Sequence, residues 1–125
     1  MTLSDSTATR QKKLSNERNT GFTFMWVYNP DSINENKLLF QVARYNFMSY
    51  PVRSFDINIE EADGVHRMQI AGFRNYDEAL LYARQLVKQH AIATLVKRAR
   101  PVIISQENLP LLGTAYSYDE YDKVY

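Results

Sequence analysis

The sequence predicts an α+β domain whose elements run β-α-β-β-α-β. Three observations predict it. A strand-like aromatic run leads into a capped amphipathic helical pattern over residues 22–48, and the same plan recurs over residues 65–89. Two further strand-like segments, Phe55-Asp56-Ile57-Asn58-Ile59 and Val102-Ile103-Ile104-Ser105, follow the first and second helical patterns. That order folds as a split βαβ unit: one four-stranded antiparallel sheet with two helices on one face.

Phe22-Thr23-Phe24-Met25-Trp26-Val27-Tyr28 combines aromatic and β-branched side chains and halts at the turn-forming Asn29-Pro30-Asp31, so it reads as the first strand. Phe22, Phe24, Trp26 and Tyr28 share one face, and Thr23, Met25 and Val27 share the other. With both faces apolar the strand is central, and the side away from the helices needs a cover. The cover comes either from this chain, through Leu109-Pro110-Leu111-Leu112 and Tyr116, Tyr118, Tyr121 and Tyr125, or from a partner. Ser32-Ile33-Asn34-Glu35 matches a capping box, in which a Ser hydroxyl and a Glu carboxylate satisfy free amides at a helix start. Leu38, Val42 and Tyr45 recur at helical spacing, Leu39 and Ala43 widen the stripe, and a helix is predicted over 33–48, ahead of Pro51.

Phe55, Ile57 and Ile59 alternate with Asp56, Asn58 and Glu60, the pattern of a strand buried on one face only. Ala62-Asp63-Gly64 supplies the turn, and Met68 and Ile70 alternating with Arg67 and Gln69 mark its hairpin partner over 65–73. Asn75-Tyr76-Asp77-Glu78 caps a second helix with a core stripe of Ala79, Ala83, Leu86 and Val87. Ile92, Leu95 and Val96 either prolong that helix or form a short strand. Pro101 opens a short final edge strand, since Pro is tolerated at a strand's first position. Residues 106–112 suggest a helical turn, and Ser117-Tyr118-Asp119-Glu120 is a third capping box. The expected division is a flexible linker over residues 1–21, a ferredoxin-like domain over 22–105 and a C-terminal extension over 106–125 packed on it. The linker follows from residues 2–20, whose only apolar side chains are Leu3, Ala8 and Leu14, too few to offset the entropy of ordering. A start methionine followed by linker composition also suggests one domain of a longer protein.

The 125 residues make one domain by size. Fifteen Lys and Arg against fourteen Asp and Glu leave a net charge of +1, without the basic excess of a nucleic-acid binder. The absence of cysteine removes disulfides, thiolate nucleophiles and thiolate-bound zinc, and leaves the compartment open. No run reaches the roughly 18 apolar residues of a membrane-spanning helix, and the first 20 residues lack a signal-peptide apolar core.

Residues able to carry chemistry are scattered. His66 and His90 lie far apart without metal-ligand spacing and read as surface or strand-filling residues. Asp56, Glu60, Glu61 and Asp63 lack the spacing of a calcium loop and read as a solvated hairpin. Gly72, alone before a helix, reads as close packing at a strand end rather than a phosphate loop. Ser105 has no neighbouring His and no G-x-S-x-G frame. Five basic residues without an acid between Arg84 and Arg100 read as a solvated stretch near a helix C-terminus. No catalytic residue, metal ligand or cofactor is expected, and the chain reads as a non-enzyme.

Aromatics on such a sheet are also the platform of RNA-recognition modules, but His66-Arg67-Met68-Gln69-Ile70-Ala71-Gly72-Phe73 departs from their paired-ring pattern, so no nucleic-acid partner is expected. The stretch Gln69-Ile70-Ala71-Gly72-Phe73-Arg74-Asn75-Tyr76-Asp77-Glu78-Ala79 resembles sporulation-related repeat domains, which implies binding to bare peptidoglycan glycan strands. A longer resemblance spans residues 22–125. It rests on the aromatic strand ending in Pro30, Ile33-Asn34-Glu35-Asn36-Lys37-Leu38, Phe73-Arg74-Asn75-Tyr76-Asp77-Glu78-Ala79, Ile103-Ile104-Ser105-Gln106-Glu107-Asn108-Leu109-Pro110-Leu111-Leu112 and Tyr118-Asp119-Glu120-Tyr121. In these the chain resembles the C-terminal domain of Bacteroidetes tetratricopeptide-repeat lipoproteins tied to gliding motility and type IX secretion. That resemblance implies a periplasmic or envelope module contacting a protein partner. The expected function is thus a non-catalytic protein-interaction or assembly module, with peptidoglycan binding as the alternative and nucleic-acid binding or an enzyme of dispersed carboxylates more remote. Expected contacts are Trp26 and Tyr28, if their face is open, and Arg67 and Gln69 on the polar side of the third strand.

Overall fold

A computed structural model describes residues 15–112 of the protein. Its elements are β1 (Phe22–Tyr28), α1 (Glu35–Ser49), β2 (Asp56–Ala62), β3 (Val65–Phe73), α2 (Tyr76–Leu86), the single turn α3 (His90–Ala93) and β4 (Arg100–Ser105). Short 3-10 turns lie at Pro30–Ser32 and Leu109–Leu111. The strands form one antiparallel sheet in the order β2-β3-β1-β4, an α+β architecture consistent with a ferredoxin-like arrangement. The third capping box and Tyr116, Tyr118, Tyr121 and Tyr125 lie outside the described residues.

β1 is central, between β3 and β4, and all seven of its residues are buried. Its Phe22, Phe24, Trp26 and Tyr28 side joins Met68 and Ile70 of β3, Leu38 and Val42 of α1, Ala79, Tyr82 and Leu86 of α2 and Ile92 of α3 in the main core. Tyr82 is a hub there, with its ring 4.9 Å from that of Phe73 and 5.4 Å from that of Phe55, and Tyr45, Tyr50 and Phe24 around it. Its hydroxyl donates to Asn46 of α1. On the far side, Met25 and Val27 pack with Val102, Ile104 and Leu112. The chain after β4 therefore turns back over that face, and Leu112 supplies an intrachain cover across β1 and β4.

Local chemistry explains where elements begin. Helix α1 starts two residues later than its predicted boundary because Asn34, not Ser32, is the cap, its side chain accepting from the Lys37 amide. Ser32 sits in the 3-10 turn that Asn29 caps. Ile33 just ahead of the cap and Leu38 one turn in are both core residues, the positions of a hydrophobic staple. Asn75 caps α2 as predicted, accepting from the Glu78 amide. The core stripe of α2 includes Tyr82, whereas Val87 lies past the last turn and is exposed. Ile92 begins neither a longer helix nor a strand; it anchors α3.

Asp63 and Gly64, at φ 53° and 80°, make the two-residue hairpin turn between β2 and β3. Pairing of Phe22 with Phe73 and of Thr23 with Ala71 leaves Gly72 as an extra residue in β3, a bulge at φ 116°. The Gly72 carbonyl accepts from Arg53, which also pairs with Glu78 at 2.8 Å, fastening the loop before β2 to the start of α2. Residues 15–21 form neither helix nor strand but are not loose. The Ser15 amide and carbonyl bond the Asn108 side chain, Tyr76 donates its amide to the Arg18 carbonyl, and Gln106 donates to Gly21. Polar composition marks this stretch as a linker because its apolar content is low, yet hydrogen bonds of its backbone to Asn108, Tyr76 and Gln106, and Arg18 over the Tyr76 ring, tie it down.

Candidate interaction surface

The condition attached to Trp26 and Tyr28 is not met. Both helices lie on their face, and the two side chains are 1 % and 2 % exposed. Arg67 and Gln69 stand opposite Val27 and Met25 on the far face and are 7 % and 8 % exposed. Arg67 reaches Glu60 across the β2–β3 ladder at 3.5 Å. All four expected contacts are thus interior side chains of the described fold. Burial of the polar pair has no signal in an alternating strand pattern, which marks faces without saying which of them is covered.

Tyr28 instead enters a titratable cluster. Its hydroxyl donates to Glu35 Oε2, the oxygen that also meets His66 Nδ1 at 2.6 Å. Pairing in the sheet sets Tyr28 beside His66, and the first residue of α1 brings Glu35 over both. Burial pushes the Glu35 carboxyl up, but hydrogen bonds from Tyr28 and His66 and the adjacent imidazole outweigh it and hold the group below its usual value. Burial, the bond to Glu35 and the Glu35 charge all push the Tyr28 hydroxyl up. The cluster orients an imidazole and ties the start of α1 to two strands. Among the described residues, no three His, Asp or Glu side chains are placed to share a metal ion.

Most of the exposed large apolar side chains lie on or just after α1, with Leu81 and Val87 at α2. Phe40, Phe47 and Met48 are exposed, Phe47 by 81 %, and Val52 follows just beyond the helix. Phe40 and Phe47 are seven residues apart, off the Leu38, Val42 and Tyr45 core stripe, so they form a second, outward stripe. A groove of about 310 Å³ runs between α1 and α3, with Arg44, Met48, His90 and Ile92 in its walls. Another, of about 350 Å³, runs from α1 to the start of β2 and is walled by Ala43, Phe47, Tyr50, Pro51, Phe55 and Ile57. It reaches the edge strand β2 at Ile57; along that strand Asp56, Asn58 and Glu60 are exposed and Ile57 and Ile59 half-buried, the one-sided burial predicted for it. The Phe40–Phe47 spacing was visible in sequence, but a ring there reads the same whether a neighbour covers it or not.

No helix among the described residues is long and apolar enough to cross a membrane. No family model, curated protein or solved structure matches the chain.

Proposed function

We propose that this chain is a ferredoxin-like, non-catalytic protein-interaction module of the bacterial cell envelope. The supporting observation is the group of large apolar side chains left outside the core on one helix: Phe40, Phe47 and Met48, with Val52 behind them. Scattered apolar side chains are ordinary on a surface, but rings in register on one helix face next to a groove fit a contact site. The envelope setting comes with the resemblance of residues 22–125 to gliding and secretion lipoproteins.

The test compares the full chain with a Phe40→Ser and Phe47→Ser double variant in capture from envelope extracts and on purified glycan strands. Both rings are already in water, so the unfolding midpoint of the variant stays within the small range of surface changes, about 0.5 kcal/mol. A protein bound by the parent and lost by the variant supports the reading. Retention on glycan strands, unchanged by the substitutions, overturns it in favour of peptidoglycan binding.

A further inference from the structure

We propose that the outer edge of β2 and the adjoining flank of α1 dock an extended peptide of alternating apolar and basic residues as a fifth strand. This rests on the interaction reading above and names its site and the chemistry of its partner.

Three observations carry it. First, β2 ends the sheet: residues 56–62 pair with β3 on one side, and among the described residues no backbone hydrogen bond outside the ladders involves them. Alternate N–H and C=O groups of a seven-residue strand therefore point outward, ready to pair with an extended chain. Second, the two faces of this edge differ. On the helix side Ile57 and Ile59 are half-buried, and Ile57 shares the groove of about 350 Å³ with Ala43 and Phe47 of α1. A strand added about 4.8 Å beyond β2 would set every second side chain beside the two isoleucines, at the flank that carries Phe47. Third, the opposite face presents Asp56, Asn58 and Glu60, Glu60 also reaching Arg67 of β3 at 3.5 Å, and residues 56–64 carry no Lys or Arg. The remaining side chains of the docked strand face Asp56 and Glu60, so cross-strand pairing favours Lys or Arg there.

Charged edges also keep sheets from pairing with one another, and the acids alone would be explained that way. Edge protection gives no reason for an 81 % exposed phenylalanine beside the groove. The same acids disfavour a second copy of this chain, since β2 against β2 sets acid opposite acid.

The experiment uses the ¹⁵N-labelled full chain and an end-blocked peptide of about eight residues, one strand in length, alternating Lys and Val. Its controls are the same peptide with Glu for Lys, and two Lys/Val versions N-methylated at one or the other set of alternate amides. Expected is slowed amide exchange confined to alternate residues of 56–62, with binding about tenfold weaker for the Glu peptide and lost for one of the N-methylated pair. Phe47→Ser and Asp56→Lys each weaken binding several-fold without moving the unfolding midpoint. Equal binding of the Lys and Glu peptides, no binding, or protection elsewhere overturns the proposal. So does a concentration-dependent dimer that protects residues 56–62. An envelope protein lost by the Phe40/Phe47 variant, yet not displaced by the Lys/Val peptide, overturns strand docking and leaves the interaction reading standing.

Discussion

Glu35 receives two partners at one carboxylate oxygen, the Tyr28 hydroxyl and the His66 imidazole. Glu78 has its two oxygens held separately, one by Arg53 and one by the Arg74 amide, which outweigh the upward push of burial and leave its carboxyl below the usual value. Both groups bind protons more weakly folded than unfolded. Their contribution is therefore present above the ordinary glutamate value of 4.5 and is lost as pH falls through the lower folded values. Stability should decline from about pH 5 downward, and Glu35→Gln should lower it at neutral pH while making the acid limb shallower. Urea midpoints measured across that range test this, and an acid limb of unchanged steepness in Glu35→Gln would count against the cluster. Spacing in the sequence points Glu35 at a helix cap. Its actual partners lie on strands seven and thirty-one residues away, and only the fold brings them in.

At the level of elements, the two helix starts separate what local sequence settles from what it leaves open. Asn75 caps α2 where the pattern places it, because no competing cap precedes it and the strand ends just before. Ahead of α1 stand four candidates, Asn29, Asp31, Ser32 and Asn34, and Pro30 lets Asn29 cap a 3-10 turn that consumes Asp31 and Ser32. Asn34 is left to satisfy the Lys37 amide. Asn34→Ala should then cost about 1 kcal/mol, and Ser32→Ala no more than about 0.5 kcal/mol. Equal losses, measured by chemical denaturation, would return the cap to Ser32. The strands were more legible than the surface for a related reason. Period-two alternation in β2 and the doubly apolar β1 record burial directly, whereas the outward stripe of Phe40 and Phe47 has the same composition as a buried one.

Across the whole molecule, β1 is the member shared by two cores. Trp26 and its face bind the helices, and Met25 and Val27 bind β4 and the returning Leu112. The two cores share β1, and loss of either cover leaves that strand half solvated and weakens the sheet on which the other core packs. The domain should therefore unfold in one transition despite having apolar clusters on both sides of its sheet. Trp26→Ala removes a fully buried ring beside Phe24 and should cost about 3–5 kcal/mol; Met25→Ala, on the opposite face, should cost about 2–5 kcal/mol. Each should shift a single curve, with ring signals from the helix side and backbone signals from the whole sheet moving together. A variant in which the far face melts first, giving two separable transitions, would show that Leu112 and its neighbours sit on the sheet without being part of its cooperative unit. A Trp26→Ala protein of unchanged stability would be harder still to accommodate, since it would place that ring outside the core to which both helices are anchored.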